Sequence, residues 1–102
     1  MDAVELVKQF LRAQNLEQVG RAEEAVELYE TVVEAGFDST GPYERLVTIY
    51  SHRGLHRDVI RVADLALTNV QTHAEKRAWY ERMRAEAERA ATKVPQASKK
   101  KR

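Results

Sequence analysis

Gly20 and Gly54 stand 34 residues apart in a chain of 102, and their flanks superpose so that apolar falls on apolar. Leu16 falls on Tyr50, Ala25 on Val59, Val26 on Ile60, Leu28 on Val62, Val32 on Ala66 and Val33 on Leu67. A spacing of about 34 residues is what two short helices and a turn consume, and a pattern kept over that period marks tandem helical hairpins. Neither hairpin could bury its apolar side alone, so the two must lie against each other. Stacked hairpins act by presenting a surface, and a surface of this kind does not name its ligand.

The remaining composition agrees with helix. Of the residues 43% are apolar and 32% charged, with only 4 Gly and 2 Pro. One domain is the expectation from length, with a thin core. No apolar run approaches the roughly 20 residues that cross a bilayer, and the first residues alternate charge with hydrophobe, so a cytoplasmic protein without a membrane role is expected. With no cysteine, disulfides, thiolate nucleophiles and cysteine-held zinc are excluded together. Charge is unevenly spread. Residues 1–44 hold ten acids against three bases, residues 45–92 six acids against nine bases, and the last ten residues add five bases and no acid.

Five helices follow from three- and four-residue apolar spacing. The first runs from Asp2 to about Gln18 with Leu6, Val7, Phe10, Ala13 and Leu16 inward, and Gly20 stops it. The second, about Ala22 to Ala35, buries Ala22, Ala25, Val26, Tyr29, Val32 and Val33 and keeps Glu23, Glu24, Glu27, Glu30 and Glu34 on its wet side. Pro42 suits the first turn of a third helix ending near His52, with Tyr43, Leu46, Val47 and Tyr50 inward. Gly54 ends that helix, and a fourth, the most apolar, spans about Arg57 to Val70. A fifth, about His73 to Lys93, carries a narrow stripe of Trp79, Met83, Ala87 and Ala90 and is expected to cap an open end. Pro95 is expected to break it, leaving 94–102 as a disordered basic tail. Ala25, Ala63 and Ala66 offer recesses, and Tyr29, Tyr43, Tyr50 and Leu67 protrusions, for helices packed 8–10 Å apart.

These residues resemble the tetratricopeptide repeat (TPR), a 34-residue helix–turn–helix unit. Tyr43, Leu46, Tyr50, Gly54, Ala66 and Leu67 follow its pattern in the second unit, and Gly20, Ala25, Tyr29 and Val32 in the first. Gln9 and Arg12 depart from it, standing where large apolar residues are usual, so the first helix is expected to be rotated or to serve as a wetter end-piece. The resemblance implies an all-α, right-handed α-solenoid of two repeats, about 6–39 and 40–73, plus a capping helix at about 73–93, in one domain over 1–93. It further implies a protein–protein interaction adaptor, with a groove lined by the first helices of each repeat: Phe10, Gln14, Glu17 and Gln18, then Glu44, Thr48, Ser51 and His52, with Ala78 and Arg82 continuing the row. Phe10 is read either as the apolar anchor of that groove or as core. The lysine and asparagine clamp that some family members close on a terminal carboxylate is not present.

Other chemistry finds little footing. His52 and His56 are four apart, but a glycine lies between them and no third ligand is evident, so no metal site is expected. No nucleophile with a base and no glycine-rich phosphate loop occurs, and a thin helical stack offers no deep pocket, so neither an enzyme nor a cofactor protein is expected. The expected partner is a protein or peptide segment, or a second copy docked through the stack ends. The alternative is a small nucleic-acid-associated or regulatory protein using the fifth helix and the tail, disfavoured because four terminal charges are few and acids are mixed with the bases of the helix.

Overall fold

The computed structural model describes residues 2–71 and 74–99. They form α1 (Ala3–Gln18), α2 (Ala22–Glu34), α3 (Thr40–His52), α4 (His56–Asn69), a single 3-10 turn (Ala74–Lys76) and α5 (Arg77–Lys99). No β-strand occurs among the described residues. The class expected from periodicity is therefore met: the protein is all-α.

The helix ends have local causes. Asp2 caps α1, its Oδ1 accepting the Glu5 N–H at 2.8 Å, which satisfies one of the donors a helix start leaves open. Gly20 and Gly54 sit at φ +85° and +71°, a left-handed conformation that any residue with a Cβ adopts at a cost. That turn lets the Arg21 N–H reach the Leu16 carbonyl at 2.8 Å and the Gly20 N–H reach Glu17 at 3.1 Å. The same two bonds recur 34 residues later, from Leu55 to Tyr50 at 2.9 Å and from Gly54 to Ser51 at 3.1 Å. Both are the reciprocal closing bonds of a helix ended by a left-handed glycine. Hairpins α1–α2 and α3–α4 thus turn by one mechanism. Thirty-four residues beyond Gly54 stands Glu88, and there α5 runs straight on.

Packing follows the chain: α1 lies on α2, α2 on α3, α3 on α4 and α4 on α5, with α2 also touching α4. The buried cluster is a mixture of small and large side chains, with Ala13, Ala25 and Ala63 fully buried beside Tyr29, Tyr43, Leu46 and Val62. One interface contact also repeats at the 34-residue offset. Tyr50 on α3 donates its hydroxyl to Glu30 on α2, and Arg84 on α5 donates to Asp64 on α4 at 2.6 Å.

Several expectations are corrected. Val7 is exposed, because α1 turns Leu6, Phe10, Ala13 and Leu16 inward and that face leaves Val7 outside. Glu30 does not belong to a wet face: it is half-buried against Arg61 and Tyr50. Helix α3 begins two residues before Pro42, which is buried but still within the first turn, where its missing N–H breaks no helical bond. Among the described side chains of α5 the most buried is Tyr80, which the expected stripe of Trp79, Met83, Ala87 and Ala90 omits. Helix α5 also continues through Pro95 to Lys99, so residues 94–99 are helical instead of irregular. A proline removes one hydrogen bond of the ladder and strains one turn, and the alanine-rich run before it carries the helix across. His73 and residues 100–102 lie outside the described residues.

Candidate functional site

Three of the side chains expected to line a groove converge. Gln14, Glu17 and Gln18 on α1 meet Tyr29 of α2 and Arg45 of α3 around an open cavity of about 320 Å³. Glu17 is its electrostatic centre. It accepts the Tyr29 hydroxyl at 2.8 Å and the Arg45 Nε at 3.1 Å, and the Arg45 Nη2 closes a second, short bond to its other oxygen. The Arg45 donors hold the Glu17 carboxyl below its ordinary range, overcoming the opposing effect of burial, and Tyr29 adds to the lowering. Burial and then the Glu17 acceptor push the Tyr29 phenol well above its usual value. Arg45 is in turn held more firmly charged, chiefly by its bond to Glu17. Gln14 and Gln18 carry the amide donors and acceptors at the rim.

The other expected positions separate. Phe10 is half-buried, its ring 6.1 Å from Tyr29 and 6.3 Å from Phe37, and it fills the space a Cβ on Gly41 would need. The ring packs against the buried cluster while part of it stays exposed. Glu44 accepts the Thr40 hydroxyl at 2.8 Å and pairs with Lys76 at 3.0 Å, so it ties α3 to the approach of α5. Thr48 is half-buried on α3, while His52, Ala78 and Arg82 are exposed. Ser51 lines a second, smaller cavity of about 180 Å³ with His56, Met83, Glu86, Ala87 and Ala90, between α3, α4 and α5. His52 and His56 sit on different helices, and no group of three His, Asp or Glu side chains suited to a metal occurs among the described residues. A third concavity, about 900 Å³, lies elsewhere, between α4 and the distal half of α5 at Arg57, Ile60 and Glu88 to Thr92.

Tyr29 and Arg45 are the cavity residues that the sequence reading missed. Tyr29 reads as core by its spacing, and it is core along its ring while its hydroxyl emerges at the cavity. Arg45 reads as one more surface base. The available signal was charge: Glu17–Arg45, Glu23–Arg53 and Glu30–Arg61 each join an acid of the first 44 residues to a base of the following 48. The uneven charge along the chain is therefore in part a set of contacts between hairpins.

No family model, curated protein or solved structure matches this chain. No helix among the described residues is long and apolar enough to cross a membrane.

Proposed function

We propose that this chain is a non-enzymatic adaptor of the tetratricopeptide type, two helix–turn–helix units closed by α5, that holds a peptide or protein segment where α1, α2 and α3 meet. The observation that carries this reading is the cavity lined by Gln14, Glu17, Gln18, Tyr29 and Arg45, which draws on the first helices of both units. Its chemistry suits a polypeptide backbone. The two glutamine amides can each donate and accept, as a peptide bond requires. Glu17 and Arg45 satisfy one another and so hold the walls in place without demanding a charged ligand.

The test is comparative affinity capture. Native chain and a Gln14→Arg, Gln18→Arg variant are used as baits, with helicity checked by circular dichroism. One or more proteins should be retained by the native chain and lost from the variant at unchanged helicity. Identical retention by both baits overturns the assignment of the cavity.

A second reading rests on Arg82 and Arg89, which are exposed seven residues apart on α5 and have no carboxylate partner among the described residues. In this reading α5 approaches phosphate. Binding to a nucleic-acid duplex that falls steeply with rising salt, and is weakened by Arg82→Gln with Arg89→Gln, would favour it over the adaptor.

A further inference from the structure

Where α2 meets α3, Glu23 pairs with Arg53 at 2.8 Å. The residues 34 positions on are Arg57 of α4 and Ala87 of α5. These two interfaces correspond in register, since the Arg84–Asp64 bond between α5 and α4 repeats the Tyr50–Glu30 bond between α3 and α2. A base has thus taken the place of the acid, and a methyl group that of the base. The second interface loses its ion pair and gains room.

That room is the concavity of about 900 Å³ between α4 and the distal half of α5. Ile60, Ala90 and Ala91, all half-buried, give it an apolar lining. Arg57 lines it from α4 and Arg89 from α5, both exposed and both without a carboxylate partner among the described residues. The acids nearby are engaged or directed elsewhere. Glu88, which also lines the concavity, holds Arg84 at 2.7 Å, Asp58 holds Arg61 at 3.1 Å, and Glu86 lines the smaller cavity beside His56. Two unanswered guanidinium groups, brought together from two helices, therefore stand beside an apolar hollow.

We propose that this concavity binds a small amphiphilic anion: an oxyanion, carboxylate or phosphate, carried on a short apolar body. The two guanidinium groups offer forked donors that match the acceptors of such a group. Ile60 and the two alanines take the apolar body out of water. The volume falls within the roughly 300–1,000 Å³ of small-molecule sites. A cation of the same shape is repelled by both arginines, and a neutral ligand gains only the apolar part. The site shares no residue with the cavity at Gln14 and Gln18, so the inference does not rest on the adaptor reading.

Octanoate, octyl phosphate, octanol and acetate, each titrated to about 10 mM into the full isotope-labelled chain, test it through the movement of backbone amide resonances. Octanoate or octyl phosphate should move the amides of Arg57, Ile60 and residues 88–92 along saturable curves, and the tighter of the two identifies the oxyanion. Octanol should bind at least about fivefold more weakly for want of charge, and acetate likewise for want of an apolar body. Arg57→Gln with Arg89→Gln should reduce octanoate to the level of octanol. Arg12→Gln with Arg82→Gln removes the same charge elsewhere and should leave binding unchanged. Ala91→Glu, which sets a carboxylate against the hollow, should abolish it. All these positions are exposed or half-buried, and unchanged circular dichroism confirms that the variants fold. Octanol binding as tightly as both anions, shifts spread over the surface instead of gathered at α4 and α5, or equal weakening by the two arginine pairs would each overturn the inference.

Discussion

Glu17 and Glu30 each gather an arginine and a tyrosine from other helices. Glu17 joins Arg45 and Tyr29, and Glu30 joins Arg61 at 2.7 Å together with Tyr50. For Glu30, burial pushes the carboxyl up, but the Arg61 and Tyr50 donors outweigh it and the net shift is downward. A carboxylate whose folded pKa is depressed contributes stability above its unfolded value and loses it as pH falls through the folded one. Both glutamates therefore stabilise the fold above about pH 4.5, their ordinary value, and the contribution fades below it. Glu17→Gln and Glu30→Gln are each expected to lower stability by about 1–2 kcal/mol at pH 7, a modest figure because these pairs keep contact with water. Glu27→Gln, on the exposed side of α2 with no ion pair of its own among the described residues, should change it by less than about 0.5 kcal/mol. Urea unfolding at pH 7 and again near pH 3 checks both claims, since the difference between the variants and the native chain should shrink at the lower pH.

At the scale of elements, α5 packs on α4 and also reaches the start of α3. Tyr80 is buried, and its hydroxyl meets both the Thr40 carbonyl at 3.1 Å and the Thr40 hydroxyl at 2.6 Å, fastening α5 to the start of α3. Tyr80→Ala should cost about 3–5 kcal/mol and Tyr80→Phe about 1 kcal/mol, read from urea midpoints at constant slope. Much of this architecture is legible in the sequence. Helix ends are local events, so Asp2, Gly20 and Gly54 announce them within a turn, and the four helices of the two hairpins fall within two residues of their expected starts. Tyr80 is not legible because it neighbours Trp79. One residue on a helix is a rotation of about 100°, and two large aromatics side by side leave the buried direction open until the partner helix is known. The candidate site divides in the same way. Gln14, Glu17 and Gln18 share a helical face and could be grouped by spacing, whereas Tyr29 and Arg45 reach Glu17 across 12 and 28 residues of chain. Nothing local in the sequence states such a pairing.

Over the whole molecule, all four tyrosines are buried, and each phenol is raised above its ordinary value of 10. Desolvation is the leading cause in every case, reinforced at Tyr29 and Tyr50 by glutamate acceptors. A group whose folded pKa lies above its unfolded one keeps its full contribution below the unfolded value and loses it as pH rises. Stability should therefore fall as pH climbs past 10, four groups drawing in one direction. Tyrosinate absorbance and far-ultraviolet circular dichroism followed together should change in one step above that pH, with the phenols ionising as the helices melt. A titration with normal, independent phenol ionisation at intact helicity would contradict the burial of these rings.

The ionic contacts between hairpins have one further consequence. The two hairpins close their turns by the same pair of bonds, and those bonds alone would let either follow the other or let a copy slip in between. Charge weighs against that exchange, because a repeat of the first hairpin would set Glu27, which stands 34 residues before Arg61, against Glu30, and a repeat of the second would set Arg57, which stands 34 residues after Glu23, against Arg53. Charge thus gives interchangeable bricks a fixed order of laying.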